Sequence, residues 1–352
     1  MADTPCGIGI IGAGHIGRAH ARTWRETPGA VVRAIADLLP ERAHAVAQEF
    51  EIPHVYADYQ PILARDDVQI VAVCTPPFAH CLPTVEALRA GKHVLCEKPF
   101  ALRVDEAERM VAAARTAGRY LAMASARVRY GLGPEMARRM VAEGELGRIY
   151  HGRSTVMRQR GRPGIDILKE STWFLSKERA GGGALIDIGV YDIDLMLWLM
   201  GNPRVRSVSA TIAQGIGEPR SDLVQEVEDH ATVMCQLEGG ASLVIESAWS
   251  SHLQGQTTRF VLGDRGGLRL NPLTFFGPPP PGERECTSRR VLPEGVEDQH
   301  QGGFAALTRA FVAAVRGEGP PPMTPAEDAL VVTRVIAAAY ESAAAGRPVI
   351  FE

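Results

Sequence analysis

The sequence lacks the patterns that mark disulfide-rich, zinc-binding or membrane-spanning proteins. Its six cysteines form no CxxC pair and no cluster with the spacing of a zinc site. Several of them lie inside apolar runs, so we expect buried free thiols and no metal ion. No apolar run approaches the ~18 residues that cross a bilayer, and no basic and apolar leader precedes the first predicted strand. We therefore expect a cytoplasmic protein without a membrane partner.

The sequence also has no excess of one charge. With 38 basic and 41 acidic residues, its formal net charge is −3, which gives no electrostatic reason to expect nucleic acid as a partner. Aromatic residues are only 6% of the chain, but hydrophobic residues of all kinds reach 45%, which is typical of a globular protein. The 352 residues exceed what one ordinary core holds, so we expect two domains.

The most informative stretch is a glycine-rich turn near the N-terminus. A short apolar run, residues 8–11, breaks into a Gly-x-Gly-x-x-Gly turn, and a helix-permissive segment and a second apolar run follow. In nucleotide-binding folds these glycines allow a tight turn, backbone contact with a pyrophosphate and close packing of helix on strand. Amide groups at the helix start then face the anion. The predicted cofactor contacts here are Gly12, Gly14, His15, Ile16 and Gly17.

A carboxylate at the end of the second apolar run informs the choice of cofactor. Asp37 follows Gly17 by twenty residues, the spacing of the acidic residue that binds the adenosine ribose 2′-hydroxyl. A carboxylate about 4 Å from a 2′-phosphate would cost roughly 1 to 4 kcal/mol, so we expect NAD(H) rather than NADP(H). The nearest cation, Arg42, is expected on the next helix.

Strand and helix patterns alternate through the first third of the chain. Residues 68–75 and 91–96 are nearly continuous apolar runs, the pattern of strands buried on both faces of a parallel sheet. Polar residues follow each run, and ligands of such sheets bind beyond the carboxyl ends of the strands. The residues expected beside the cofactor are therefore Thr75, Pro76, Pro77, His80, Glu97 and Lys98.

The second half of the chain has a different pattern. Long alternating strands begin near residue 147 and predict an antiparallel or mixed sheet. The fold class is therefore α/β followed by α+β, with a doubly wound Rossmann sheet in residues 1–124 and a substrate-binding α+β domain in residues 125–352. Residues 271–285 include four consecutive prolines and are predicted to form a surface loop.

A second stretch with chemical potential follows the triple glycine at 181–183. Residues 184–201 are apolar almost all round, which predicts a buried helix. Asp187, Tyr191 and Asp194 share one face of it, and charged groups in a core are costly unless paired. Either Asp187 caps the helix and Asp194 pairs with a distant arginine or backbone group, or this face lines the cofactor cleft.

Lys98 also has two explanations. Most lysines are solvated, but Lys98 ends a buried strand, and Pro99 restricts its backbone. We predict that Lys98 is functional.

The substrate contacts are less defined. The candidates are Arg127 and Arg129, which follow the last Rossmann strand, and Trp173, which precedes the triple glycine.

A basic loop, with arginines at 158, 160 and 162, offers a further possible contact. It either attracts an anionic substrate or is simply solvated.

Taken together, the motifs resemble the Gfo/Idh/MocA family of nicotinamide-dependent sugar and polyol oxidoreductases. The resemblance covers nearly the whole chain. It rests on the glycine turn and on segments whose positions are 75–77 (Thr-Pro-Pro), 97–99 (Glu-Lys-Pro), 181–189 (Gly-Gly-Gly-x-x-x-Asp-x-Gly) and 324–329 (Thr-Pro-Ala-Glu-Asp-Ala). It implies a Rossmann domain followed by an α+β domain whose open sheet often forms a subunit interface, and hence a homodimer or homotetramer.

The resemblance also implies which residues line the reacting centre. Lys98 and Asp187 are expected there, as catalytic and substrate-binding residues. Many members have histidine at the position of Tyr191, and others have tyrosine. This difference leaves open whether Tyr191 or Lys98 accepts the proton.

The predicted function is NAD-dependent oxidation of a secondary alcohol on a sugar, cyclitol or related polyol. The substrate carbon gives a hydride to the nicotinamide, and its hydroxyl proton passes to a protein base. Two alternatives remain: an NAD-dependent glycosidase that uses transient oxidation, and a non-catalytic NAD-binding sensor or scaffold.

Overall fold

The computed structural model describes residues 4–218, 220, 222–293, 296 and 303–351. The chain divides into two compact units: Met1–Arg127 with Gly302–Thr333, and Val128–Gln301 with Arg334–Glu352. The chain therefore returns to the first unit late in the sequence. The domain boundary predicted after residue 124 remains a prediction.

The first unit contains a parallel sheet, which in the described residues has six strands in the order β3-β2-β1-β4-β5-β6. All residues of the central strands β1 and β4 are buried, because helices cover both faces of such a sheet. The prediction of a doubly wound Rossmann sheet is confirmed. Its strands are β1 (Cys6–Ile11), β2 (Ala30–Ala36), β3 (His54–Tyr56), β4 (Ile70–Val73), β5 (His93–Cys96) and β6 (Leu121–Met123).

The second unit contains a mixed sheet, with nine strands in the described residues. Its strands are β7 (Ile149–Met157), β8 (Val205–Ala213), β9 (His230–Leu237), β10 (Ser242–Ala248), β11 (Gln256–Gly263), β12 (Gly267–Leu270), β13 (Thr274–Phe276), β14 (Ser288–Arg290) and β15 (Val349–Ile350). The strand order is β14-β13-β12-β11-β7-β10-β9-β8-β15. Only the pair of β7 and β10 is parallel among the pairs described. The prediction of an open, mostly antiparallel sheet is confirmed.

One prediction in this unit is wrong in part. The segment 271–285 is not a loop throughout, because β13 lies within it and pairs with both β12 and β14. The four prolines follow β13 rather than interrupt it, so the backbone amides of Thr274–Phe276 remain able to pair.

The helices include the predicted buried helix. In chain order they are α1 (His15–Arg25), α2 (Pro40–Phe50), α3 (Gln60–Leu63), α4 (Cys81–Arg89), α5 (Val104–Ala117), α6 (Leu132–Ala142), α7 (Lys177–Ala180), α8 (Val190–Leu199), α9 (Gly303–Val315) and α10 (Ala326–Ala345). A π-helical turn, Leu185–Gly189, leads directly into α8. Short 3₁₀ turns cover Pro77–Ala79, Ala124–Val128, Thr172–Leu175 and Glu238–Gly240.

No helix in the described part of the chain has both the length and the apolar character needed to cross a membrane. All six cysteines are free, and five of them are buried, with Cys286 exposed. The expectation of buried free thiols is therefore confirmed for five.

Candidate active site

The glycine turn after β1 has three different steric environments. Gly12 has φ +99°, and a Cβ there would lie 2.7 Å from the Cys74 carbonyl oxygen. A Cβ at Gly17 would overlap the Gly12 carbonyl oxygen, whereas a Cβ at Gly14 would meet no heavy atom within 4 Å. Gly12 and Gly17 are therefore required by backbone packing, and the Gly14 side of the turn is open to a ligand. This geometry fits a dinucleotide.

Helix α1 begins at His15, directly after the turn, with Gly14 as its N-cap in an extended conformation. The His15 side chain is exposed and Ile16 is half-buried. Amides in a first helical turn lack partners within the helix, and the turn before this helix start is open at Gly14. An anion is stabilised at such a position.

Asp37 follows β2, and its carboxylate is held at the glycine turn. One oxygen accepts a hydrogen bond from the amide of Ala13 at 2.7 Å, and the other accepts one from the amide of Leu39 at 2.9 Å. Its neighbour Leu38 is 85% exposed. Arg42 lies on α2, as expected. Asp37 is therefore the charged group fixed beside the turn.

The loop after β4 is fastened by two side chains. The Thr75 hydroxyl donates to the Ala79 carbonyl oxygen at 2.9 Å, and Pro77 begins the short 3₁₀ turn. The His80 ring is fully buried, with Nδ1 2.7 Å from the Pro99 carbonyl oxygen and Nε2 2.8 Å from the Thr75 carbonyl oxygen. Burial lowers the pKa of His80. The His80 side chain thus connects two loops, and its contact with the cofactor stays a prediction.

The loop after β5 carries a buried carboxylate followed by the candidate lysine. Glu97 is only 3% exposed. Its Oε1 accepts from His20 Nε2 at 2.9 Å, and its Oε2 accepts from the Lys98 amide at 3.0 Å. Burial by itself would raise the pKa of Glu97, but the His20 hydrogen bond and the Arg127 charge outweigh it and hold the pKa at about 2. Glu97 is thus ionised, and the half-buried Lys98 follows it, joined to Pro99 by a cis peptide bond.

Arg127, a predicted substrate contact, lies beside this carboxylate. Its Nη1 is 3.8 Å from Glu97 Oε1, and its guanidinium is 5.5 Å from the ring centroid of Phe304. A quarter of its side chain, 25%, remains exposed. Contact with a substrate stays a prediction, and its structural partner is Glu97.

In the second unit, Asp187 lies inside the π-helical turn. Its amide donates to the Gly183 carbonyl oxygen at 3.0 Å, so Asp187 is within the helix and does not cap it. Its Oδ2 accepts from Trp249 Nε1 at 2.8 Å and lies 4.0 Å from Arg158 Nη1. Asp187 is 8% exposed. Such turns occur often at functional sites.

A different residue caps this helix. The buried Glu228 carboxylate accepts from the amides of Gly183 at 2.8 Å and Leu185 at 2.9 Å, and from the Tyr340 hydroxyl at 2.9 Å. A Cβ at Gly183 would overlap the Glu228 backbone, which explains a glycine there. Burial raises the pKa of Glu228 in spite of these donors.

The other two carboxylates of α8 form buried ion pairs. Asp194 pairs with Arg129, which is 1% exposed. The structural explanation for Asp194 is therefore confirmed, and Arg129 is excluded as an exposed substrate contact. Asp192 accepts from Arg259 Nε at 2.6 Å and from the Ser154 hydroxyl at 2.7 Å. Both pairs attach α8 to the rest of the unit.

Two aromatic candidates in this unit retain exposure. Within α8, all of which the structure describes, Tyr191 is the single residue that is not buried. Trp173 is half-buried and stacks on Phe174 with ring centroids 3.9 Å apart. Phe174 packs against the cluster that contains Ile188 and Trp249. Both remain predicted substrate contacts.

Two of the three arginines of the basic loop form ion pairs with carboxylates of the second unit. Arg160 donates to Glu218 at 3.0 and 3.1 Å, and the buried Arg162 donates from Nε to Asp166 at 3.0 Å. These arginines therefore hold loops together. Within the described residues, no group of three or more His, Cys, Asp or Glu side chains is placed to hold a metal ion.

Comparison with known proteins places the chain in a family. Residues 6–125 match a family model described as an oxidoreductase family with an NAD-binding Rossmann fold, and residues 135–269 match the GFO/IDH/MocA C-terminal domain. A D-glucoside 3-dehydrogenase of Escherichia coli is 30% identical, over 98% of this chain and 97% of the relative. The chain belongs to the Gfo/Idh/MocA family of oxidoreductases.

A second relative and a solved structure are also similar to this chain along most of its length. A D-apiose dehydrogenase of Paraburkholderia graminis is 27% identical over 97% of this chain and 88% of its own length. The crystal structure of GenD2 from gentamicin A biosynthesis in complex with NAD is 27% identical, with a TM-score of 0.81, over 100% of this chain and 98% of that one. The predictions of this family, of an oxidoreductase and of NAD as the cofactor are confirmed.

Several residues around Glu97 in the first unit and around Asp187 in the second unit were outside the predicted set. His20 and Phe304 contact each other at 4.7 Å between ring centroids, and Trp249 and Glu228 hold the helix of Asp187. A histidine on the apolar face of α1 was a usable signal for His20. The others depend on partners distant in sequence, for which no local pattern exists.

Proposed function

We propose that this chain oxidises a secondary alcohol of a sugar, cyclitol or related polyol with NAD, reversibly. The observation that carries the proposal lies within one unit. Lys98 follows β5 at the same carboxyl edge of the sheet as the glycine turn after β1 and the Thr75 loop after β4. Ligands of open α/β sheets bind at this edge, so a lysine there is placed for the reacting end of the cofactor.

The chain's residues divide into holding and reacting groups. The glycine turn, Asp37 and the Thr75 loop hold the dinucleotide, which when bound supplies a hydride acceptor. The Lys98 ammonium stabilises the negative charge that develops on the substrate oxygen, and Asp187 orients a substrate hydroxyl. Either Tyr191 accepts the hydroxyl proton beside this ammonium, or Lys98 accepts it as a neutral amine and becomes the ammonium in that step. A phenol of pKa about 10 is only about one part in a thousand ionised at neutral pH, so Tyr191 needs a cation close by to serve as the base.

The substrate class rests on the relatives. One relative is a D-glucoside 3-dehydrogenase and another is a D-apiose dehydrogenase, each covered along most of its length. We therefore place glucosides first among the candidates, followed by free sugars and inositols.

The test is a substrate panel with the purified protein. Glucosides, aldoses, inositols and their keto forms are mixed with NAD or NADH, and the absorbance of NADH is followed. We expect NADH to form with at least one polyol and to be consumed by the matching ketone. Release of a sugar from a glycoside without net NADH would instead indicate a glycosidase. Tight NAD binding without hydride transfer to any compound would indicate a sensor.

Asp37 is proposed to set the preference for NAD over NADP. In the Asp37→Asn variant we expect the ratio of kcat/KM for NAD to that for NADP to fall by roughly 5- to 800-fold, because a repulsion of roughly 1 to 4 kcal/mol with the 2′-phosphate is removed. The side-chain oxygen of the asparagine can still accept a hydrogen bond from the backbone N–H of Ala13 or Leu39. The matched control is Asp58→Asn, because the Asp58 carboxylate accepts a hydrogen bond from the Gln60 backbone amide at 2.7 Å, two residues ahead, as Asp37 does from Leu39. An unchanged ratio in Asp37→Asn rejects this role.

We propose a cytoplasmic homo-oligomer that forms through the open face of the second sheet. The pairing registers place Met234, Val244 and Phe260 on one face, with Arg153 between the last two, and Met234 is 42% exposed. Buried thiols that are free suit a reducing compartment, which cell fractionation checks.

A charge on this face tests the assembly. Light scattering is expected to give a dimer or tetramer for the wild type and a smaller species for Val244→Asp, because a buried unpaired charge destabilises an interface. The control is Leu253→Asp, since Leu253 is 57% exposed and lies outside the strands. A monomeric wild type, or an unchanged mass in Val244→Asp, would contradict the proposed interface.

A further inference from the structure

We propose that His20 is a positioning residue for Lys98, acting through the Glu97 carboxylate. The inference deepens the proposed function, since it rests on the role given there to Lys98. It concerns a residue of α1 that lies 77 positions from Glu97 in the sequence.

The two oxygens of Glu97 have separate tasks. Oε1 accepts from His20 Nε2 at 2.9 Å, and Oε2 accepts from the Lys98 amide at 3.0 Å. The His20 ring is fully buried and Glu97 is 3% exposed, so water does not compete for either bond. Rotation of the carboxylate would break both bonds, and His20 therefore fixes the oxygen that holds Lys98.

The hydrogen-bond partners determine which His20 nitrogen carries the proton. Trp24 Nε1 can only donate, and it lies 3.3 Å from His20 Nδ1, which therefore accepts. The ionised Glu97 can only accept, so His20 Nε2 must donate to it. Nδ1 therefore serves as the acceptor and Nε2 as the donor. Phe304 packs edge-on against it, with centroids 4.7 Å apart, and limits its rotation.

The backbone around Lys98 explains why a side-chain hydrogen bond is needed to hold its amide. The Glu97 amide donates to the Val73 carbonyl oxygen at 2.9 Å and makes the last ladder bond of β5. The next amide, that of Lys98, leaves the ladder and is held by the Glu97 side chain. Pro99 has no amide hydrogen to donate, and its carbonyl oxygen contacts His80. The direction of Lys98 therefore depends on side-chain contacts rather than on strand pairing.

A buried charge is costly unless it is paired and hydrogen-bonded. Glu97 meets this condition with His20, the Lys98 amide and the nearby Arg127 guanidinium. An uncharged residue at position 97 would fill the same space without needing these partners. A buried carboxylate at this position is explained if its oxygen is needed to hold the amide of Lys98.

The test compares His20→Leu, which removes the donor, with His20→Gln, which restores one. The control is Thr27→Val, because Thr27 makes a buried 2.8 Å hydrogen bond to Thr308 and joins the C-terminal end of α1 to α9. Two readouts are used for each variant. One is amide hydrogen exchange of Lys98 in the NAD-bound protein, and the other is kcat and KM on the sugar identified in the panel.

For His20→Leu we expect the Lys98 amide to exchange at least about tenfold faster. We also expect kcat to fall about 10- to 100-fold, since small misplacements of a reacting group have effects of this size. KM for NAD should change by less than about threefold. His20→Gln should recover most of both losses, and Thr27→Val should lower thermal stability without changing either.

An unchanged Lys98 exchange rate in His20→Leu overturns the positioning role, and so does an equal loss of kcat in Thr27→Val. Should the leucine variant not fold, Glu97→Gln decides by the same readouts, because its amide nitrogen must face either the His20 or the Lys98 donor. The exchange measurement needs no substrate. A wild type without turnover on any polyol would therefore reject the proposed function, while the exchange rates still decide the role of His20.

Discussion

Replacing Lys98 by methionine is expected to lower kcat by about 10²- to 10⁴-fold, the range for loss of a group that handles a proton or stabilises a developing charge in the transition state. Methionine keeps the length and apolar stem of lysine and removes only the ammonium. NAD binding should persist, because the residues proposed to hold the dinucleotide are those of the glycine turn, Asp37 and the Thr75 loop. Initial rates and NAD titration, measured separately, check the two parts.

The same strand supplies a matched control. Lys92 precedes β5 and Lys98 follows it. Lys92 is 8% exposed, its Nζ donates to the Arg65 carbonyl oxygen at 2.6 Å, and burial lowers its pKa. Lys92→Met should lower stability, because the Arg65 carbonyl loses its donor, but leave the turnover of folded protein nearly unchanged.

The two lysine variants together locate the function at one end of the sheet. Equal losses of turnover in Lys98→Met and Lys92→Met would show that both lysines act through folding alone, and that Lys98 has no separate catalytic role. Full turnover in Lys98→Met would reject its catalytic role. Loss of NAD binding alone would move Lys98 from catalysis to cofactor anchoring.

Asp187→Asn is expected to lower turnover, whereas Asp194→Asn is expected to lower stability. In Asp187→Asn, kcat should fall by about 10²-fold because the charge that orients the reacting groups is removed. The asparagine oxygen can still accept from Trp249 Nε1, so the melting temperature should stay close to that of the wild type. In Asp194→Asn, the buried Arg129 loses its carboxylate, and the free energy of unfolding should fall by about 3 to 5 kcal/mol.

Urea unfolding and initial rates, normalised to folded protein, measure both effects. The pair is informative because the two aspartates belong to one continuous helical segment and are both buried. If Asp194→Asn loses as much turnover per folded molecule as Asp187→Asn, the segment acts as a unit and Asp187 has no separate role. Wild-type turnover in Asp187→Asn would likewise contradict the assignment.

The contrast between these aspartates shows where sequence patterns stop. Their spacing correctly places them on a single buried helix, but spacing does not distinguish a paired carboxylate from a functional one. Asp194 meets Arg129, 65 positions away, and Asp187 meets Trp249, 62 positions away. The π-helical turn at Asp187 also has no local signal, because its backbone pattern depends on how the helix is held at Glu228 and Trp249.

The prolines of 271–285 illustrate the opposite error. A proline prevents pairing only at its own amide, so four prolines after β13 did not exclude a strand before them. Similarly, helices α6 and α9 lay outside the predicted set. α9 contributes to the first unit although 179 residues, 124–302, separate it from β6.

Local patterns in the amino-acid sequence were enough to predict the parallel nucleotide-binding sheet, the glycine turn with Asp37 beside it, the mostly antiparallel second sheet and the buried helix. These follow from local spacing and from apolar periodicity, which act within a few residues along the chain. The folded chain was needed to distinguish the polar residues that hold the structure together from those that remain candidates for chemistry. His20 with Glu97, His80 with its two carbonyl oxygens, and Arg129 with Asp194 are each joined by burial and hydrogen bonding. Those interactions arise between side chains far apart in sequence, and they exist only once the chain has folded.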